Sequence, residues 1–195
     1  MSSPSTYAPP GEMLHSAEAV QAAIAHQAEW LRPRLANENP LVVVLLQGAL
    51  YYAAWLTLAL AIPLEIACVD VGRYGRGRSG GVLAWRQKLA ADVGGRSVLL
   101  LDDIFDEGAT LAAVRAACIA AKAREVRSAV LLRKRHDRAR AQEPDSAALE
   151  VPDCFVVGCG LDDAGRWRNL PAIYALDERA LPRSLPDRVA ERIGT

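Results

Sequence analysis

Three aspartates stand close together after an apolar run, at positions 102, 103 and 106. Neighbouring carboxylates of this kind can accept hydrogen bonds from vicinal hydroxyls or bind Mg²⁺ through oxygen ligands. Gly108 permits positive φ and a close backbone approach, and Thr110 can cap a helix that begins there. Because free amides at the start of a helix bind anions, this stretch predicts a site for a sugar phosphate, with the sugar at the acids and the phosphate at the glycine.

These side chains need a scaffold in which a strand ends and a helix begins at the same place. Residues 98–101 are uniformly apolar, which is typical of a strand covered on both faces, and α/β sheets bind ligands at the carboxyl ends of such strands. Further apolar runs alternate with helical patterns, the former at 41–46, 64–71 and 128–132 and the latter at 12–35, 49–60 and 111–123. The alternation predicts an α/β fold with three layers around a mostly parallel sheet.

Composition limits the classes of protein that fit. The chain has 195 residues, half of them hydrophobic, which suits one domain over residues 1–195. Its formal net charge is zero, so it lacks the basic field of non-specific nucleic-acid binders. Four cysteines without CxxC spacing favour a reducing compartment, and the sequence has neither a signal-peptide pattern nor a membrane-length apolar span. We therefore expect a cytoplasmic protein that binds neither nucleic acid nor membrane.

The stretch VLLLDDIFDEGAT, residues 98–110, resembles the 5-phosphoribosyl-1-pyrophosphate (PRPP) motif of type I phosphoribosyltransferases. The resemblance implies that Asp102 and Asp103 bind the ribose hydroxyls and Mg²⁺. It implies that Asp106 stabilises a cation-like sugar or takes a proton at purine N7. Four consecutive residues would bind the 5-phosphate: Glu107, Gly108, Ala109 and Thr110. Glu107 departs from the usual threonine, in a version that resembles one bacterial branch of the family.

A second motif lies near the end of the chain. Residues 151–176, VPDCFVVGCGLDDAGRWRNLPAIYAL, resemble the corresponding part of hypoxanthine-guanine phosphoribosyltransferases. The resemblance implies that Phe155 stacks on the purine, that Val156 offers it backbone groups, that Asp162 lies at the purine and helps to hold Mg²⁺, and that Arg168 contacts pyrophosphate. A strand is expected to begin at Asp153, after a polar surface connection over residues 142–151.

The charged run at 133–138 offers a residue that could read the base. Lysine donates hydrogen bonds and accepts none, so it can select a purine with a 6-oxo group over one with a 6-amino group. The segment LLRKRHDR aligns Lys134 with the family lysine that has this role. His136, two residues later, is interpreted as a bystander.

Two loops complete the resemblance. Leu46, Gln47 and Gly48 stand where the family has a short pyrophosphate-binding loop, and Gln47 lacks the usual positive charge, so contact there would rest on amide groups. Residues 72–81, GRYGRGRSGG, suit a mobile lid over an anionic substrate, with Tyr74 matching the family's catalytic-loop tyrosine. The resemblance also implies a small hood built from the two chain ends around a core at about 38–176, and a homo-oligomer, either dimer or tetramer.

Together these features predict an enzyme of purine salvage that joins hypoxanthine or guanine to PRPP and releases pyrophosphate. Two alternatives stay open. The first is a regulator that senses PRPP on the same fold and binds nucleic acid. The second is a nicotinamide dinucleotide binder, because Gly75, Gly77 and Gly80 spell GxGxxG after a strand, with Asp102 about 20 residues further on.

Overall fold

A computed structural model describes residues 11–74, 82–87, 89 and 91–176. In chain order its elements are β1 (Gly11–His15), α1 (Ala17–Leu35), β2 (Leu41–Leu46), α2 (Leu50–Leu60), β3 (Glu65–Tyr74), β4 (Val82–Gln87), β5 (Ser97–Phe105), α3 (Ala109–Ala120), β6 (Glu125–Arg135), β7 (Ser146–Pro152), β8 (Val156–Val157) and β9 (Ile173–Leu176). A sheet of six strands has the order β4-β3-β2-β5-β6-β7, and all its pairs are parallel except β3 with β4. The predicted α/β class with a mostly parallel sheet is confirmed.

The central strands are apolar at every position because helices cover both faces of the sheet. On β2, Val42 and Val44 pack into a core with α1 and α2, whereas Val43 and Leu45 pack into a second core with α3. The sheet therefore lies between two helical layers, as predicted. Within the described ranges, no helix has both the length and the apolar composition that a bilayer crossing requires.

A second, three-stranded sheet combines the two ends of the described chain. Strands β1, β9 and β8 pair antiparallel in that order. Residues 12–15 are thus extended and not helical, which corrects the helical prediction. In the pairing of β1 with β9, Gly11 lies opposite Leu176 and His15 lies opposite Ile173. The paired residues are about 160 positions apart in sequence, so local periodicity does not indicate this pairing.

Several predicted boundaries were also wrong. Helix α1 begins after Ser16, whose hydroxyl accepts a hydrogen bond from Ala19 N–H, and not at residue 12. The polar stretch 142–151 was predicted as a connection, but residues from Ser146 onward form β7 along β6. No strand begins at Asp153; β8 begins three residues later.

The glycine-rich segment 72–81 connects two antiparallel strands. Gly72 and the backbone of Tyr74 belong to β3 and pair with β4, while residues 75–81, the remainder of the predicted lid, lie outside the described residues. A dinucleotide-binding fingerprint requires a helix directly after its glycines. Because a strand follows instead, the dinucleotide interpretation is wrong.

Candidate active site

Two adjoining cavities open at the carboxyl ends of the central strands. The larger, of about 340 Å³, is lined by the turn after β2, the segment from Asp102 to Leu111, and two side chains from the segment after β8, Asp162 and Arg168. The smaller, of about 220 Å³, is lined by Lys134, Phe155, Val156 and Leu161. Both cavities share four residues, Asp103, Ile104, Asp106 and Asp162. Every predicted site residue except Tyr74 therefore borders one of these connected spaces; the side chain of Tyr74 lies outside what the structure describes.

Asp102 and Asp103 form the acidic wall of the larger cavity. The Asp103 amide donates to Oδ1 of Asp102 at 3.0 Å. Burial raises the pKa of Asp102 well above its ordinary value, and the neighbouring Asp103 charge raises it further. Burial also raises the pKa of Asp103, although its hydrogen bonds and the charge of Arg168 oppose the change. Because burial disfavours the ionised form of both carboxylates, a cation bound between them and a substrate would stabilise that form.

The acidic side chains of the larger cavity fit a magnesium ion that is bound together with a diphosphate better than one bound by the protein alone. Among the residues that the structure describes, no group of three or more histidine, cysteine or acidic side chains could hold a metal alone. Mg²⁺ typically keeps several waters and binds one or two carboxylates plus substrate phosphates. Asp102 and Asp103 on one cavity wall, with Asp162 lining the same space, match that pattern.

Gly48 brings the turn after β2 against the acidic wall. A Cβ placed on Gly48 would lie 2.5 Å from Cγ of Asp103, so only glycine leaves room for this carboxylate. Gly160, at φ +101°, packs against the Gly48 carbonyl from the other side, in the space that its own Cβ would need. The Leu46–Gln47 peptide bond is cis. Gln47 and Gly48 both line the larger cavity.

Helix α3 points its amino terminus into the same cavity. Gly108 caps the helix in a left-handed conformation, at φ +76°, and a Cβ there would overlap the Phe105 ring. Thr110 lies in the first turn and does not cap the helix, which corrects the predicted capping role. Because the first amides of a helix have no intrahelical acceptor, this end of α3 is suited to an anion.

Asp106 lies where the two cavities meet, among cationic side chains. Nζ of Lys134 is 3.0 Å from its Oδ2, and Nη2 of Arg138 is 2.8 Å from its Oδ1. Partial burial opposes ionisation, but hydrogen bonds from Arg138 and Lys134 and their charges outweigh it and lower the pKa of Asp106. This carboxylate is therefore ionised at neutral pH.

Asp162 and Arg168 are held by a tight turn after β8. Nη2 of Arg168 lies 2.7 Å from Oδ1 of Asp162, while the Gly165 amide donates to Oδ2 of Asp162 at 2.6 Å. Nη1 of Arg168 donates to the Gly160 carbonyl at 2.6 Å, which anchors the guanidinium beside the Gly48 turn. The predicted carboxylate and guanidinium thus occupy one edge of the larger cavity.

Sequence reasoning missed two residues of the Asp106 cluster. Arg138 contacts Asp106 and also pairs with Asp153, and His136, interpreted from the sequence as a bystander, places its ring against the same carboxylate. Lys134, His136 and Arg138 alternate along the chain, and alternate residues of an extended segment share a face. That spacing could have predicted that the three side chains lie together, but a run of charges is also typical of a solvated surface.

Known proteins match this chain over most of its length. The phosphoribosyl transferase domain family matches residues 10–164. The hypoxanthine-guanine phosphoribosyltransferase of Bacillus subtilis is 35% identical over 166 residues, 85% of this chain and 92% of that protein. The bifunctional protein TilS/HprT of Listeria innocua is 38% identical over 166 residues, but the chain spans only 26% of its length. The crystal structure of a hypoxanthine phosphoribosyltransferase from Staphylococcus aureus superposes with a TM-score of 0.82 at 25% identity, covering 88% of this chain and 94% of that one.

Proposed function

The chain belongs to the phosphoribosyl transferase domain family, among its hypoxanthine-guanine phosphoribosyltransferases, and we propose that it transfers a phosphoribosyl group from PRPP to hypoxanthine or guanine. The observation that carries this proposal is the meeting of the two cavities at Asp106. One cavity has acidic and amide groups suited to a ribose diphosphate, and the other has a lysine and an aromatic ring suited to a base. The relatives give no support to a nucleic-acid-binding regulator.

In this proposal PRPP occupies the larger cavity. Amides of residues 107–110 and the Thr110 hydroxyl bind its 5-phosphate at the start of α3, which fixes the position of the sugar. The amides of Gln47 and Gly48 together with Arg168 bind the diphosphate. Asp102, Asp103 and Asp162 would hold Mg²⁺, which supplies charge neutralisation to the diphosphate leaving group when it is bound.

The purine occupies the smaller cavity. Phe155 stacks on its ring and the backbone of Val156 binds its edge. The Lys134 ammonium donates a hydrogen bond to the 6-oxo group. Adenine has a 6-amino group in that place, which is also a donor, so the ammonium and the amino group would both lack an acceptor. To do so, Lys134 exchanges its 3.0 Å contact with Asp106 for one with the base.

The chemical step forms the bond from purine N9 to ribose C1′ and breaks the bond from C1′ to the diphosphate oxygen. The ionised Asp106 stabilises the positive charge that develops on the sugar, and it takes the proton that leaves the purine at N7. Tyr74 and the segment after it would close over the site and exclude water. Assembly as a homo-oligomer, a cytoplasmic location and a single domain with its core at about 38–176 stay predictions.

The test is pyrophosphate release from PRPP and Mg²⁺ with hypoxanthine, guanine, xanthine and adenine offered in turn. We expect turnover of 6-oxo purines and rejection of adenine. Asp106→Asn should lower kcat by about 10²–10⁴-fold, the range of a lost general base. Asp137→Asn is the matched control, because this exposed aspartate of the neighbouring loop, after β6, undergoes the same chemical change. If no base reacts although PRPP binds, the enzymatic proposal is wrong and a PRPP sensor replaces it.

A further inference from the structure

The ring of His136 is buried beside Asp106, with only 3% of the side chain exposed. Its Nδ1 accepts a hydrogen bond of 3.2 Å from the Arg138 backbone N–H. A nitrogen that accepts a hydrogen bond carries no proton, so the neutral ring must hold its proton on Nε2. The backbone of the loop therefore selects the tautomer in which Nε2 is the donor.

That donor faces the Asp106 carboxylate. Nε2 lies 2.9 Å from Oδ1 of Asp106, yet the ring and the carboxylate are out of alignment and Nε2 makes no hydrogen bond in this arrangement. A buried donor without an acceptor is destabilising, because it has lost its hydrogen bonds to water. A modest rotation of the Asp106 carboxylate would bring an oxygen into line with the Nε2 donor. Catalytic hydrogen bonds often reach such alignment only when substrate is bound.

The two oxygens of Asp106 have different partners. Lys134 contacts Oδ2, whereas Arg138 and His136 both contact Oδ1. On the function proposed above, Lys134 leaves Oδ2 to bind the 6-oxo group of the purine. Oδ2 then becomes free for the base, and only the Oδ1 contacts remain to determine the direction of the carboxylate.

The loop that carries His136 is fixed against the PRPP motif. The Ala141 amide donates to the Glu107 carbonyl at 2.8 Å. Nη2 of Arg140 donates to the carbonyls of Lys134, at 2.6 Å, and His136, at 3.2 Å. A ring held on a backbone with so many contacts can determine the orientation of a neighbouring carboxylate.

We propose that His136 is a positioning residue for the transfer reaction: its Nε2–H holds Oδ1 of Asp106 and so directs Oδ2 at the base after Lys134 has turned to the purine. This inference rests on the proposed function. His136 lines neither of the two cavities, so its effect passes through Asp106.

Two amide substitutions separate the nitrogens of the ring. In His136→Asn the side-chain carbonyl can replace Nδ1 as acceptor, but no donor reaches Asp106; in His136→Gln the longer amide can replace the Nε2 donor. We expect His136→Asn to lower kcat by about 10–100-fold, as lost supporting contacts do, with the KM values of PRPP and hypoxanthine within twofold of wild type. His136→Gln should recover kcat to within about threefold. His26→Asn, on the exposed surface of α1, is the matched control.

The inference is wrong if His136→Asn turns over like wild type, or if His136→Gln is as slow as His136→Asn, since the ring would then act only by packing. Absence of pyrophosphate release from the wild type with every base would instead refute the proposed function. In that case long-range ¹H–¹⁵N NMR of the histidine rings tests the inference without an activity assay. The chain has three histidines, and the ring signals that disappear in His136→Asn are those of His136. We expect the Nε2–H tautomer and an Nε2 proton resonance that moves in Asp106→Asn; an Nδ1–H tautomer, or a resonance that does not move, overturns it.

Discussion

The contact between Gly48 and Asp103 makes the substitution Gly48→Ala a sharp test of the site. The new Cβ would lie 2.5 Å from Cγ of Asp103, whereas non-bonded carbons pack at about 3.5–4.0 Å. The carboxylate or the turn must therefore move by about 1 Å. Misplacement by that distance can cost about 10²-fold in rate, so we expect kcat/KM for PRPP to fall by about 100-fold. The φ angle of Gly48 is not positive, so backbone strain adds nothing to this effect.

Gly95→Ala is the matched control for this experiment. Gly95 has φ +69°, with no atom within 4 Å of its virtual Cβ, and it precedes β5 at the end away from the cavities. We expect this change to lower the free energy of unfolding by about 1–2 kcal/mol and to leave kcat/KM near wild type. Steady-state kinetics with PRPP varied, and thermal unfolding of both variants, measure the two effects. A Gly48→Ala protein within threefold of wild-type kcat/KM would refute the packing argument.

Three further predictions concern charge and burial. The pKa of Asp102 is raised in the folded protein, so its ionisation removes stability as the pH rises above about 4. Asp102→Asn should therefore raise the unfolding temperature at pH 7, by about 2–4 °C for each kcal/mol gained, and this difference from wild type should disappear near pH 4. Mg²⁺ with PRPP should no longer stabilise the variant against thermal unfolding. Glu107 lines the cavity proposed for PRPP, so Glu107→Gln should lower the KM for PRPP about fivefold, equivalent to about 1 kcal/mol between charges at ~4 Å in water; an unchanged KM would separate this side chain from the phosphate. Gln27→Ala removes the acceptor of the buried Tyr52 hydroxyl, a 2.7 Å bond, and should cost about 1–3 kcal/mol in urea unfolding; a smaller loss would show that another group accepts.

The parts of the fold that short-range patterns encode were predictable. Continuous apolar runs identified β2, β5 and the buried part of β6, and the acids at the end of β5 identified the edge of the sheet at which the cavities open. The antiparallel pair of β3 and β4 was not expected, because the intervening glycines resemble an irregular loop. Strand β1 was missed for a different reason: its pairing with β9 is a contact between distant parts of the chain.

The site shows the same division between local and distant information. The family motifs listed most of the residues that line the two cavities, including Lys134 and Asp162. They gave no partner for Asp106, because the contacts of a carboxylate depend on how the loop after β6 folds over the loop after β5. His136 and Arg138 reach Asp106 through that loop packing, which an alternation of charges in sequence only hints at.

The carboxylates at 102, 103 and 106 belong to one continuous segment, yet their environments drive their pKa values in opposite directions. Burial and the charge of Asp103 raise the pKa of Asp102, whereas Lys134 and Arg138 outweigh partial burial and lower that of Asp106. Titratable groups separated in this way usually have separate roles. On the proposed function, burial opposes ionisation of the pair on the acidic wall, so a cation such as Mg²⁺ carried by PRPP would favour the charged form of both carboxylates. Asp106 is ionised before any substrate binds, so it can stabilise the developing positive charge on the sugar without first losing a proton.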